Sequence, residues 1–311
     1  MFLHMPHVAP RFLAALLVAV AVNAAEAAVV YSTTFDSASP GTLANQQAWT
    51  GTAGTWAVSA SVNTGLVGYA VLSSDNGVTP SSGTGQMVRV ATSRFGNDRT
   101  KAWLDILNSG KWAAASAGGN DVLETSIKIF VPSGLLQPCH FGIMISKDSA
   151  TTGSGFVING QTGAVSYLDN GYAAANRFPF NKTVSLGAWH SCVFRWNPTT
   201  GAASLAIDGE QVGSYVSTVR GGVYAVNMFS FTDFSGTSAL TQFAYMDDYS
   251  LNAVPAVLPC PGDFDGNRVR DGADLGFLLG NWGTAATDLT GDGVTDGADL
   301  GVLLGNWGAC P

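Results

Sequence analysis

Near its C-terminus the chain writes the same thirteen residues twice, DGADLGFLLGNWG from Asp271 and DGADLGVLLGNWG from Asp296, with one difference and a spacing of 296 − 271 = 25. A unit this short cannot bury an apolar face by itself, so two copies are expected to pack together. Leu275, Leu278, Leu279 and Trp282 fall at i, i+3, i+4 and i+7, one face of a short helix. Leu300, Leu303, Leu304 and Trp307 repeat that face, and Gly283 and Gly308 stand where helix C-caps belong. An acidic solvated tail would lack such matched stripes.

Ahead of each predicted helix lies a run spaced like a calcium loop. Such a loop supplies oxygen from positions 1, 3, 5, 7, 9 and 12, with the backbone carbonyl serving at position 7. The first copy offers Asp263, Asp265, Asn267, Val269, Asp271 and Asp274; the second offers Asp288, Thr290, Asp292, Val294, Asp296 and Asp299. Two bound Ca2+ ions are therefore expected. Gly293 fills position 6 of the second loop, where the turn wants a positive φ. Arg268 fills it in the first, a strain of roughly 1 kcal/mol. Thr290 is a poorer ligand than Asp or Asn. From Cys260 to Pro311 eight Asp stand against Arg268 and Arg270, which gives 2 − 8 = −6 of the chain's net −8. That surface suits a cation and excludes nucleic acid, whose phosphates need a basic patch.

The run DLTGDGVTDGADLGVLLGNWG resembles the paired calcium-loop-plus-helix signature of type I dockerins, including Asp in place of Glu at position 12. The resemblance covers the last fifth of the chain, residues 260–311. It implies calcium-dependent folding and docking to a cohesin-type partner, as in assemblies of secreted polysaccharide-degrading proteins. The family's partner-reading pair at loop positions 10 and 11 maps onto Gly272–Ala273 and Gly297–Ala298. Their identity in the two copies implies docking in either of two orientations. The helices depart from many dockerins in lacking basic residues.

The preceding part reads differently. From residue 28 to 252, short runs alternate with Gly, Asn, Asp and Ser clusters. Leu123, Thr125, Ile127 and Ile129 follow the period of a half-buried strand, while NGQTG and NPTTG supply hairpin turns. The fold class expected is mainly β, an antiparallel two-sheet sandwich or jelly roll followed by the small α module. GAWHSCVFRWNPTTGAASLAIDGEQVG, FAYMDDYSL and YSTTFDS are similar to strands of concanavalin A-like and laminin-G-like sandwiches, a group that includes sugar-binding modules, adhesion modules and glycosidases. AVPAVLP, residues 253–259, reads as an extended linker. Residues 1–27 read as an export signal, with an apolar run from Phe12 to Val22 and an A-x-A pattern at Ala25–Ala27. That run is shorter than the about 20 residues a membrane span needs. The product is expected to be secreted, extracellular or at the cell surface, with no membrane span.

Export favours oxidised cysteines. Cys260 and Cys310 bracket the acidic module, whereas Cys139 and Cys192 sit in strand-like segments; all four are disulfide candidates, and three pairings are open.

A retaining glycosidase needs two carboxylates about 5.5 Å apart. The chain has only Glu26, Glu124 and Glu210, and no E-x-D-x-x-E motif. A polysaccharide lyase would use a His or Tyr base with Arg and Asn or Gln neutralising an acidic sugar. Beyond the signal, only His140 and His190 remain, and His190 reads as a packing residue. No Ser-His-Asp set is visible. The sandwich is thus expected to bind a polysaccharide or other glycan without catalysis. Trp103, Trp112, Tyr167 and Tyr172 are candidate sugar platforms. Asp36 with Asp247 or Asp248 is the candidate for a further structural calcium. The alternatives are a divergent glycoside hydrolase or polysaccharide lyase, and a structural cell-surface protein whose repeat folds back on its own sandwich.

Overall fold

The computed structural model describes residues 27–43, 57–59, 69–92, 99–148, 153–233, 242–256, 261–264, 269–290 and 292–310. The expected export signal therefore falls outside the described residues except for Ala27, as do residues 257–260 of the linker region and 265–268 of the first loop.

Residues 28–254 form strands β1 (Ala28–Thr33), β2 (Gly41–Thr42), β3 (Ala57–Ser59), β4 (Tyr69–Leu72), β5 (Met87–Ala91), β6 (Arg99–Asp105), β7 (Val122–Phe130) and β8 (Cys139–Ser146). They continue with β9 (Gly153–Asn159), β10 (Ala164–Asp169), β11 (Arg177–Thr183), β12 (Trp189–Trp196), β13 (Ala202–Ile207), β14 (Glu210–Val216), β15 (Ala225–Thr232) and β16 (Phe243–Val254). A one-turn helix, α1 (Lys111–Ala115), links β6 to β7. One antiparallel sheet runs β14-β13-β12-β7-β16-β5-β4-β2, with β1 also paired to β16; a second runs β11-β10-β9-β8-β15-β6-β3. The mainly β, antiparallel reading is what the chain adopts.

The reason lies in the period-two pattern. On β7 the side chains of Leu123, Thr125, Ile127 and Ile129 are all buried, while the alternating Glu124, Ser126 and Lys128 turn outward. These inward residues meet Phe141, Ile143, Ile145, Phe156 and Ile158 of the other sheet in one core with Phe194 and Trp196. The sheets also touch at one margin. Tyr167 of β10 stacks on Tyr215 of β14 at 3.9 Å, and Phe180 of β11 lies so close over Gly213 that a Cβ there would stand 2.7 Å from its ring.

Strand β16 runs on through Val254, the second residue of the expected linker. Among the described residues, no helix is long and apolar enough to cross a membrane.

Cys139 and Cys192 correct the expectation of a second bridge: both are buried free thiols. Cys139 opens β8 in one sheet and Cys192 lies in β12 of the other. Cys310 is disulfide-bonded, and Cys260 lies outside the described residues.

The module contributes α2 (Gly272–Gly280), α3 (Gly297–Gly305), and two short strands, β17 (Val269–Arg270) and β18 (Gly308–Ala309), which pair antiparallel.

Candidate functional site

The repeat in sequence is a repeat in structure. Asp271 and Asp296 are the N-caps of α2 and α3, and each accepts the N–H two residues on, from Ala273 at 2.8 Å and Ala298 at 2.7 Å. Asp274 and Asp299 answer as the third helical residue, accepting the N-cap N–H at 2.9 and 2.7 Å to complete two capping boxes. Both carboxylates also reach back to the loop. Asp274 accepts from Phe264 N at 2.6 Å, and Asp299 accepts from Leu289 N at 2.7 Å and Thr290 N at 2.9 Å. The Asp296 N–H, together with those loop donors, holds the Asp299 carboxyl down to about 2.

The second loop is closed by the same logic. Asp288 accepts from Gly293 N at 2.6 Å, with Gly293 at φ 92, and Asp292 accepts from Val294 N at 3.0 Å. Thr290 donates its hydroxyl to Asp288. Asp288, Thr290, Asp292, Val294, Asp296 and Asp299 thus bring only oxygen donors to one loop, the chemistry a hard divalent cation requires. In the first loop, Asp263, Val269, Asp271 and Asp274 are described; Asp265 and Asn267 lie outside the described residues. Among the described residues, no three Asp, Glu, His or Cys side chains converge as a metal-holding group.

The helix faces depart from the sequence expectation. Leu278 and Leu303 are fully buried, but Leu279 and Leu304 are each 51% exposed and Trp282 and Trp307 each 48%. Of the leucines and tryptophans in each stripe, Leu278 and Leu303 alone are fully buried. Phe277 is exposed too. The pairs Gly272–Ala273 and Gly297–Ala298 are exposed on the first turns. The module therefore presents the same apolar surface twice. The two halves differ at buried Arg270, which donates to the carbonyls of Pro261 and Asn306; its counterpart 25 residues on is Thr295.

In the sandwich, Asp36 accepts from Gln86 N at 2.8 Å, Asp247 from Ser81 N at 2.9 Å, and Asp248 pairs with Lys128 at 2.7 Å. The three carboxylates expected at a structural cation are thus engaged in pinning the 81–86 segment. Gly85 is required there: at φ +91 its Cβ would stand 1.8 Å from Asp36 Oδ1.

A Ser-His-Asp set that sequence spacing did not reveal is present. His190 Nδ1 lies 2.6 Å from Asp208, and Nε2 lies 3.2 Å from the Ser185 hydroxyl. The same Nε2 is closer, at 2.8 Å, to the Ser185 carbonyl oxygen. The hydroxyl and the carbonyl of Ser185 thus share one ring nitrogen, and the trio ties the β11–β12 turn to Asp208 at the end of β13. Burial would raise the Asp208 carboxyl, but the bonds from His190 and Ser191 hold it below the usual range.

The four aromatic candidates divide. Tyr167 belongs to the seam between the sheets and Trp112 packs on the main core. Trp103 and Tyr172 lie instead on the outer face of the seven-stranded sheet, beside Phe229 and Phe231. There the Arg99 guanidinium sits 5.1 Å from the Tyr172 ring and donates to its hydroxyl at 2.9 Å; Lys101 sits 4.8 Å from the Trp103 ring; and Arg177 sits 5.2 Å from the Phe231 ring. A cavity of about 260 Å³ opens between Tyr172, Ala173, Ala174, Phe231, Thr232 and Asp233. His140 stacks on Phe231 at 4.6 Å and is only 4% exposed. Burial, with help from Arg177 and against the pull of Asp233, lowers its pKa to about 4. A neutral imidazole sealed under a phenyl ring does not reach a substrate as a general base.

No family model matches this chain, and no curated protein matches it. Among solved structures, a conserved carbohydrate esterase from the Shiga toxin-encoding bacteriophage phi24B has a TM-score of 0.41 at 11% identity, over 74% of this chain and 100% of that one. A cellulose induced protein has a TM-score of 0.39 at 15% identity, over 65% and 92%. A sialidase has a TM-score of 0.39 at 10% identity, over 63% of this chain but only 17% of its own length. Scores this low establish no shared function.

Proposed function

We propose that the chain is an exported, carbohydrate-interacting β-sandwich carried on a calcium-folded, dockerin-like module that docks to a cohesin-type protein. The observation that carries this reading is the matched exposure of Leu279 with Leu304 and of Trp282 with Trp307. Large apolar side chains left in water at equivalent positions of a duplicated unit mark a protein-binding surface. Calcium would be held by Asp263, Asp265, Asn267, Val269, Asp271 and Asp274 in one loop and by Asp288, Thr290, Asp292, Val294, Asp296 and Asp299 in the other. Its charge would offset the repulsion among four carboxylates in each loop and lock the loops beneath α2 and α3. Gly272–Ala273 and Gly297–Ala298 would flank the docking surface.

The test is calorimetric titration of the full chain with Ca2+, paired with capture on immobilised type I cohesins with and without chelator. Two bound ions and chelator-sensitive capture are expected. Absence of calcium binding overturns the module reading, whereas calcium binding without capture by any cohesin overturns the docking partner alone. The sandwich is tested separately, by binding to a panel of polysaccharides with reducing-sugar release measured alongside; binding without release is expected.

A further inference from the structure

The outer face of the nine-stranded sheet carries a groove where β12 ends and β13 begins. Its volume is about 580 Å³, within the range of ligand sites. Arg195, Asn197, Thr200, Ser204, Gln211 and Ser214 supply its polar lining, and the remainder is alanine and valine. The register explains how three of them come together. Arg195 of β12 lies opposite Ser204 of β13, and Ser204 lies opposite Ser214 of β14. Arg195 and Ser204 alternate along their strands with buried Phe194, Trp196, Ala203 and Leu205. The row therefore crosses three strands in steps of about 4.8 Å.

The polar groups of the groove are held in place by the fold. Glu124 Oε2 lies 2.7 Å from both Nε and Nη2 of Arg195, and Asn252 donates to Glu124 Oε1 at 3.2 Å. Nη1 is the guanidinium nitrogen left over. Asn197 donates to Asp121 at 3.2 Å and accepts from the N–H groups of Thr199 and Thr200, each at 2.9 Å. Gln211 Nε2 donates to the Gly213 carbonyl at 3.0 Å, which leaves its Oε1. The hydroxyls of Ser204 and Ser214 have no hydrogen-bond partner among the described residues.

The charges of this face cancel. Strands β7, β12, β13 and β14 carry Glu124, Lys128, Arg195 and Glu210, besides His190, which Asp208 engages. Arg195 pairs with Glu124 at 2.7 Å, Lys128 with Asp248 at 2.7 Å, and Glu210 with Lys182 at 2.6 Å. Beside the β12–β13 hairpin stand Asp121 and Arg220, one of each sign.

We propose that this groove binds a neutral glycan, its chain laid across β12, β13 and β14. The inference rests on the carbohydrate reading of the sandwich, and it names where the sugar lies and its charge class. A sugar hydroxyl both donates and accepts. The groove meets it with a donor-only guanidinium nitrogen, an acceptor-only amide oxygen and two hydroxyls that do either. Successive pyranose residues of an extended chain advance by about the distance between strands, so each meets a new side chain. A carboxylate on the ligand would compete with Glu124 for Arg195, to which Glu124 is already bonded.

The test is calorimetric titration of the full chain with cellopentaose, xylopentaose, mannopentaose and oligogalacturonate. At least one neutral sugar is expected to bind more tightly than oligogalacturonate, with an affinity that salt does not change. Ser204→Ile and Ser214→Ile each remove a hydroxyl and fill the groove with a side chain suited to a strand. Each should weaken that binding by at least about tenfold. Ser204→Ala, which removes the hydroxyl alone, should weaken it roughly threefold. Ser166→Ile, the same change on β10 of the other sheet, should bind as the parent does, and a cooperative melt would show each variant to be folded. Undiminished binding in Ser204→Ile and Ser214→Ile overturns the groove and leaves the carbohydrate reading standing. Tighter binding of oligogalacturonate overturns the neutral assignment. Failure of all four sugars to bind overturns both the inference and the carbohydrate reading.

Discussion

Asp299 and Asp296 hold each other in place: the carboxylate of Asp299 accepts the backbone N–H of Asp296 at 2.7 Å, and Asp296 caps the helix that Asp299 belongs to. Both Asp299 oxygens are in use, one by the helix and one by the loop. Asn at this position would turn an N–H2 toward a backbone donor on one side or the other. Asp299→Asn is expected to lower the melting temperature of the module and to cost helical circular dichroism. Because the folded carboxyl lies at about 2, below an unfolded value of about 3.9, its contribution is complete above pH 4 and is lost as pH falls toward 2. An acid titration of the helical signal checks this.

Neighbouring leucines on α3 should respond in opposite ways. Leu303 is buried, so Leu303→Ala is expected to destabilise the module by about 2–5 kcal/mol. Leu304 is half exposed, so Leu304→Ala should change stability by no more than about 0.5 kcal/mol. If the doubled apolar surface is the docking surface, removing both Leu279 and Leu304 abolishes capture while the melting temperature stays put.

Cys139 and Cys192 should be silent in the folded protein. Burial, and then Asp233, pushes the Cys139 thiol up to about 12, and burial with Asp208 raises Cys192 further. Iodoacetamide at pH 8 is expected to modify neither until denaturant is added, and then both. Mass spectrometry of the labelled peptides reads the result.

His140 makes the sandwich acid-sensitive. It is held neutral in the fold to about pH 4, whereas the unfolded imidazole takes a proton near 6.5. Between those values the unfolded chain binds more protons, so stability falls as pH is lowered from 6.5 to 4. His140→Phe, which keeps the stack on Phe231, should flatten that slope. Melting temperatures across the window would show it.

The clasp of Ser185, His190 and Asp208 should prove structural. Ser185→Ala is expected to leave any hydrolysis of p-nitrophenyl acetate at the background rate of the parent. His190→Ala should lower stability, because Asp208 and the Ser185 carbonyl both lose a partner. A serine-dependent burst of nitrophenol would refute this assignment.

What could be read in advance followed from local periodicity. The alternation of Leu123, Thr125, Ile127 and Ile129 placed a strand face in the core, and the 25-residue repeat placed two loops and two helices. The exposure of Leu279 and Trp282 was not legible, because a stripe records which residues share a helix face and not how much of that face its partner covers. The approach of Arg99 to Tyr172, 73 residues on, was hidden for another reason. It depends on β15 lying between β6 and β8, and on a connection folding back across the sheet. His190 and Asp208 met through the β12–β13 hairpin, a pairing that sequence showed as a turn signal but not as a contact.

Strand β16 has a mechanical consequence. It is twelve residues long, bonded to β7 along one edge and to β5 and then β1 along the other, and the module follows it in the chain. A sandwich gripped on its face and tugged through its tail would take that load along an interior strand, where the rungs on both edges must shear together instead of peeling one by one. The tether is sewn into the middle of the cloth.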